Sequence, residues 1–354
     1  MLWQRFVWVT ICCFASMIAS LGVFIALMNP YGNLPHLVFS EHVITDKNQR
    51  YQYPALVRSK QYDSIVIGTS DSRLLHPKAL EGVFGGRFAN LAFNAGRAYE
   101  QYRLAMLFVD EVDSSGTLLV GIDDVWCEEN ADKQRTTFRG FPTWMYDDHW
   151  WNDLPYMLNS KTVEFSGRRL GQAIGLKRPR LSDGYEVFTP PESAYDPAKV
   201  RIKLWGKKTP GSINSVVPPF EASTEVRANW QFPALLWLEE ITIRFRGRVV
   251  FVYAPTHVAS QPVPGSVEAA KREECKARIG AVARRHNAPF IDFNIRSEIT
   301  AKDDNWWDPL HYRLPVADRV VAGIERALQT GQDDPQGDWR YLEGPRLEAA
   351  SVAH

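Results

Sequence analysis

The 354-residue sequence has no net charge: 41 Lys and Arg stand against 41 Asp and Glu. That balance argues against a broad basic surface, so no nucleic-acid partner is expected. There is no dinucleotide fingerprint and no P-loop, so nothing in the sequence implies a nucleotide cofactor. No internal repeat is present. Cysteine is scarce, with four residues. Cys12 and Cys13 fall in an apolar run, where they behave as small apolar side chains. Cys127 and Cys275 remain, either as a disulfide or as two buried thiols.

The most informative absence is of charge between Phe6 and Met28. A bilayer core of about 30 Å needs about 20 apolar residues as helix, so this segment is long enough to span it. Signal peptides have shorter apolar regions, about 7–15 residues, followed by a small-residue cleavage site. Here the run continues through Phe24-Ile25-Ala26-Leu27-Met28 to Asn29-Pro30. Residues 1–28 are therefore expected to be a short stub and an uncleaved single-pass anchor. Arg5 and the α-amino group precede the span, and Lys47 is the first basic residue after it. That asymmetry favours the N-terminus inside and the remaining chain outside.

Residues 29–61 read as a polar connector. From Tyr62 short apolar runs alternate with segments of helical periodicity. Ser64–Gly68, Arg87–Phe93, Thr117–Ile122, Arg248–Tyr253 and Ala288–Phe293 are the strand candidates. Lys78–Phe84 (with Pro77 at its start), Tyr99–Val112, Phe232–Phe245, Val267–Arg285 and Pro315–Leu328 are the helices. This order predicts one α/β domain over 62–329 with a parallel sheet. It is interrupted by an aromatic-rich insertion at about 126–228 and followed by a loose polar tail over 330–354. The run Trp144–Asp153 suits either the insertion's own small core or stacking against sugar rings. The spacing of Asp147, Asp148, His149 and Asp153 matches no metal site, and no metal is expected.

Ligands of open parallel sheets bind beyond the carboxyl ends of the strands. Those ends carry Thr69-Ser70-Asp71-Ser72, then Asn94-Ala95-Gly96, Asp123-Asp124, His257 and, after the fifth strand, Asp308-Pro309-Leu310-His311. A serine hydroxyl needs an imidazole to take its proton, and the imidazole needs a carboxylate to fix its tautomer. Ser70, His311 and Asp308 supply those types, with Ser72 as the second candidate nucleophile. The backbones of Ser70 and Gly96 are candidate oxyanion donors. Asn94, Asp123, His257 and Trp307 are candidate lining residues, although His257 reads more naturally as structural. Trp306 and Trp307 are expected to wall the pocket.

At these residues the chain resembles the SGNH (GDSL-like) hydrolases. Ile67-Gly68-Thr69-Ser70 follows one strand, Asn94-Ala95-Gly96 the next, and Asp308-x-x-His311 stands near the end. The resemblance is closest to the membrane-anchored extracytoplasmic branch, which includes alginate O-acetylation proteins and the D-alanine-transfer proteins of teichoic acid. It implies a flavodoxin-like three-layer sandwich with a central parallel sheet, and Ser70 as nucleophile, His311 as base, Asp308 as its orienter and Gly96 in the oxyanion hole. It implies transfer or hydrolysis of acyl, chiefly acetyl, esters on a cell-envelope polysaccharide, at the inner (plasma) membrane with the domain facing the periplasm or exterior. A transferase of this kind implies a multi-span membrane partner that passes the acyl group outward. Two departures stand out: Thr69 replaces the Asp of GDSL, and Asp123 falls where the hydrolases present an Asn donor. A carboxylate cannot donate. The contrasting expectation is an inactive scaffold that binds glycan or a partner protein; a third, cytoplasmic esterase reading requires the opposite topology.

Overall fold

The computed structural model describes residues 2–34, 48–113, 115–147, 149–177, 183–206 and 220–344. In chain order its elements are α1 (Leu2–Met28), α2 (Gln49–Arg58), β1 (Ser64–Ile67), α3 (Pro77–Phe84), β2 (Phe88–Asn90), α4 (Ala98–Glu111), β3 (Thr117–Ile122), α5 (Trp150–Met157), α6 (Ser160–Ala173), α7 (Pro197–Trp205), α8 (Thr224–Asn229), α9 (Ala234–Arg244), β4 (Arg248–Tyr253), α10 (Val267–Arg285), β5 (Phe290–Asp292), α11 (Glu298–Ala301), α12 (Leu314–Thr330) and β6 (Arg340–Glu343). They divide into two units, one of residues 1–61 with 142–184, the other of 62–141 with 185–354.

The larger unit is built on a six-stranded sheet in the order β2-β1-β3-β4-β5-β6. The first five strands are parallel, and β6 pairs antiparallel to β5. Strands buried on both faces read as continuous apolar runs, which is why Ser64-Ile65-Val66-Ile67 and Thr117–Ile122 carry no charge. Alternation still sorts their side chains. Val66, Leu119, Val250, Val252 and Ile291 pack in one cluster with Leu80 of α3 and with Val316, Val320 and Ile324 of α12. Helix α9 contacts both α4 and α10, and α4 reaches β1. Each buried Val, Leu or Ile stabilises the fold by about 1.5–3 kcal/mol over an exposed one. A disulfide joins Cys127, just after β3, to Cys275 of α10, with Cα atoms 5.8 Å apart.

The structure corrects several expectations. The sheet is mixed rather than wholly parallel, because the segment read as a loose tail supplies β6. Tyr341 and Arg340 pair with Ile291 and Asp292, and Trp339 packs buried against Phe293. Residues 345–354 of that tail lie outside the described residues. The connector contains α2, whose residues 52–57 are buried. The 126–228 insertion is not one body either. Its ends belong to the larger unit, where Val200, Leu204 and Trp205 of α7 join the cluster beneath the sheet.

The smaller unit explains the aromatic run. Trp144 stacks on Tyr156, with centroids 5.6 Å apart, and meets the edge of Tyr31, which also packs edge-on against Phe165. Tyr146 is buried and donates from its hydroxyl to the Arg50 carbonyl at 2.8 Å. Asp153 is buried beside Asn33, and burial pushes its pKa up to about 6. Trp150 and Trp151 stay exposed, and Asp148 lies outside the described residues. Helix α1 is 27 residues long, apolar, and largely exposed, a composition and length able to cross a membrane.

Candidate active site

The carboxyl end of β1 runs into a single 3-10 turn, Ser70–Ser72, that leaves the sheet edge. Ser70 Oγ lies 2.9 Å from His311 Nε2, and His311 Nδ1 lies 2.8 Å from Asp308 Oδ2. The sequence separation between Ser70 and His311 is 241 residues, so only the fold brings them together. Asp308 fixes its own loop as well. Its Oδ1 accepts the backbone N–H groups of Leu310 and His311, each at 2.9 Å. Burial raises the Asp308 pKa. The His311 hydrogen bond and charge, with those two backbone donors, outweigh it and hold the carboxyl below the usual range. An ionised Asp308 accepts from Nδ1–H and leaves Nε2 able to accept from Ser70, the tautomer a general base needs.

Other contacts hold this arrangement. Tyr312 donates its hydroxyl to the Asp71 carbonyl, tying the histidine loop to the serine turn. The Trp307 backbone N–H donates to the His311 carbonyl at 2.8 Å. Ser72 is buried, its Oγ occupying the space left by Gly68 and Gly121; a Cβ on Gly121 would lie 1.9 Å from it. It is therefore placed for packing and not for attack.

The Asn94-Ala95-Gly96 turn adjoins β1. Ala95 takes φ +48°, an uncommon left-handed conformation for a residue with a side chain. A Cβ on Gly96 would meet Phe93 at 2.9 Å and Gly68 O at 3.7 Å, so this backbone passes close to the segment bearing Ser70. Helix α4 starts directly after it, at Ala98. Asn94 Oδ1 accepts from Arg73 Nη1 at 2.8 Å.

Asp123 is half-buried, with its Oδ1 accepting from the Val125 N–H at 3.0 Å and its Oδ2 hydrogen-bonded to the Thr69 hydroxyl. Burial pushes its pKa up to about 7, against the lowering effect of those two bonds. The neighbouring Asp71 carboxyl is pushed well above its ordinary value by burial first, then by the charges of Asp123, Asp124 and Asp308. The two departures from the GDSL pattern, Thr69 and Asp123, are thus bonded to each other. Asp124 is occupied elsewhere, by the Tyr253 hydroxyl and Arg272.

Three of the sequence candidates are buried, and His257 takes the structural role its sequence suggested. His257 does not line the site: it is fully buried, edge-on to Trp205 and Trp306, with Nε2 3.2 Å from Asp303. Trp306 and Trp307 are likewise buried, Trp307 packing edge-on to Tyr195. The wall at His311 is instead Phe188, whose ring meets the imidazole edge-on at 5.3 Å. Arg73, 2% exposed, stacks over Phe188 at 4.6 Å and pairs with Glu186 at 2.9 Å. Glu186 and Phe188 were not legible in the sequence because they lie in irregular chain far from the strand ends. Arg73 carried a signal, standing three residues after Ser70. Among the described residues no group of three or more His, Cys, Asp or Glu side chains is placed to hold a metal ion. No protein-family model and no curated protein matches the chain.

Proposed function

We propose that the chain is a membrane-anchored serine acyltransferase or esterase of SGNH type, acting on acyl esters of a cell-envelope polysaccharide. The observation that carries this reading is the hydrogen-bonded series Ser70–His311–Asp308 at the carboxyl edge of the sheet. The order 2-1-3-4-5 of the parallel strands, which is the flavodoxin-like order, supports it. His311 Nε2 takes the Ser70 proton as Oγ attacks the acyl carbonyl, and Asp308 stabilises the imidazolium. The proton passes to the departing alcohol oxygen, leaving an acyl ester on Ser70. A sugar hydroxyl or water then attacks that ester, with His311 as base, and Ser70 recovers its proton. The Ser70 and Gly96 N–H groups are the proposed oxyanion donors. An Asp123 near pH 7 retains its proton in part of the molecules, and the acid form donates where a carboxylate cannot.

The disulfide supports a domain outside the cytoplasm, since such bonds persist in oxidising compartments. With α1 as anchor and its N-terminus inside, the domain faces the periplasm or exterior. A transferase would take its acyl group from a multi-span partner, because a single helix offers no path through the bilayer. The contrasting reading, a non-catalytic glycan- or protein-binding scaffold, draws its support from the ionised form of Asp123.

The test is labelling of the full-length, detergent-solubilised protein with a fluorophosphonate, beside Ser70→Ala and His311→Ala. Labelling of the wild type, abolished in Ser70→Ala and reduced at least a hundredfold in His311→Ala, is expected. Equal labelling of all three proteins sinks the assignment.

A further inference from the structure

A second feature of the same sheet edge has no part in the triad. Beyond the ends of β4 and β5 lies a cavity of about 530 Å³, large enough for a sugar unit. Its charged lining is Arg227, Arg272, Arg296, Arg340 and Glu273, four cations against one carboxylate. Two of the arginines are already engaged. Arg227 Nη1 lies 3.6 Å from Glu274, and Arg272 binds Asp124 at 2.5 Å and Asn294 at 3.1 Å. Glu273 leans towards Lys276, 3.7 Å away.

The side chains of Arg296 and Arg340 have no hydrogen-bond or ion-pair partner among the described residues. The fold nonetheless brings them to one cavity from different places, Arg296 after β5 and Arg340 at the start of β6. Both side chains are exposed at the cavity's edge, and partial desolvation lowers the Arg296 pKa with no carboxylate to offset it. Several other arginines of this unit are matched: Arg244 with Asp110, Arg284 with Glu343, Arg313 with Glu192, Arg319 with Asp338. Phe220 and Ile295 give the cavity an apolar wall. The 19-residue helix α10 begins at its rim, with Ser266 as N-cap. Its dipole adds positive potential there. Unmatched guanidinium groups, an apolar wall and a sugar-sized space together suit an anionic sugar, because the fork of an arginine matches a carboxylate or phosphate.

We infer that the cavity lined by Arg296 and Arg340 is a remote subsite for an oxyanion-bearing sugar unit of a charged polysaccharide. The inference rests on the reading of Ser70 as a glycan-directed nucleophile only for its purpose; the binding itself does not depend on it. Along the sheet the cavity stands about three strand spacings from β1, roughly 14 Å. A polymer held there presents a unit further along its chain to Ser70. Binding energy gained away from the reacting bond then serves to position it.

The experiment measures binding by calorimetry to full-length protein bearing Ser70→Ala, so that turnover and the triad play no part. The probes are an oligogalacturonate, inorganic phosphate and a neutral β-glucan oligomer of equal length. The oligogalacturonate is expected to bind, the neutral oligomer at least tenfold more weakly, and Arg296→Gln/Arg340→Gln to weaken the anionic probe at least tenfold. Binding of phosphate without oligogalacturonate assigns the subsite to phosphate-bearing polymers. Equal affinity for neutral and anionic oligomers overturns the inference, as does an Arg296→Gln/Arg340→Gln protein that binds like its parent. Fluorophosphonate labelling of the double variant with Ser70 intact keeps the two readings apart: it is expected at the wild-type rate whichever way the binding falls.

Discussion

Two histidine–aspartate pairs occupy the same unit, and they differ in almost everything except their residue types. His311 and Asp308 are 2.8 Å apart, His257 and Asp303 3.2 Å. Their partners imply opposite tautomers. His257 Nδ1 accepts the Ala259 N–H at 3.1 Å, so its proton sits on Nε2, towards Asp303. Both of its ring nitrogens are thereby used within the fold. Asp303 is itself engaged by Trp205 and Arg201. His311 instead turns Nδ1 to its carboxylate and Nε2 to a serine. The balance of forces also differs. Burial lowers the His257 pKa despite Asp303. At Asp308 the imidazole and two backbone donors overcome burial. A histidine beside a carboxylate is therefore not a site by itself; an accessible hydroxyl on the far nitrogen distinguishes one pair from the other.

Three substitutions test that contrast. The largest effect is expected from Asp308→Ala, which removes the orienting carboxylate while leaving the serine in place. The second-order rate constant for fluorophosphonate labelling should fall by about 10³–10⁴. A fall of less than tenfold would erase the functional difference between the two pairs.

His257→Phe should act on stability instead. It deletes two hydrogen bonds and leaves Asp303 and the Ala259 N–H short of a partner, at a cost of about 2–4 kcal/mol. Denaturant unfolding should register that loss, while the labelling rate of the folded fraction stays within about twofold of wild type. Folded protein that no longer labels would assign His257 a part in the site.

The smallest effect is expected at Asp123. Its pKa in the fold is about 7, raised from an ordinary 3.8, so the native state holds the proton more tightly than the unfolded chain. Stability from this group is full below about pH 4 and is lost as pH rises towards 7 and above. Asp123→Asn keeps an acceptor for Val125 N–H and gives Thr69 a permanent donor. The variant should melt a few degrees higher than wild type at pH 8 and differ little at pH 5. Its labelling rate should also hold up on the alkaline side, where the wild type loses the donating form. Identical pH profiles for the two proteins would remove Asp123 from the oxyanion environment.

Much of the scaffold was legible because burial on two faces leaves a continuous apolar signature. Thr117–Ile122 and Arg248–Tyr253 form strands over the spans their sequences suggest, and Val267–Arg285 forms the long helix. Strand β6 was not legible. Arg340-Tyr341-Leu342-Glu343 is a short edge strand with a charged residue at each end, and pairing with β5 makes it a strand where its own pattern does not. Helix α2 was hidden for a related reason. Gln49, Arg50 and Gln52 are buried polar residues, so the face turned inward has no apolar stripe to read.

The chemistry divides in the same way. Residue types and strand ends point to Ser70, Asp308 and His311 without reference to coordinates, because a parallel sheet delivers its chemistry at one edge. The charge-free run of α1 likewise follows from composition alone. Whether Cys127 meets Cys275, whether Ser72 faces a void or a substrate, and which histidine keeps a nitrogen free are different questions. They depend on atoms brought together across 148 or more residues, or on space left by Gly68 and Gly121. Sequence determines what each strand end can offer; only tertiary packing decides which offers remain open to solvent and which are consumed within the core.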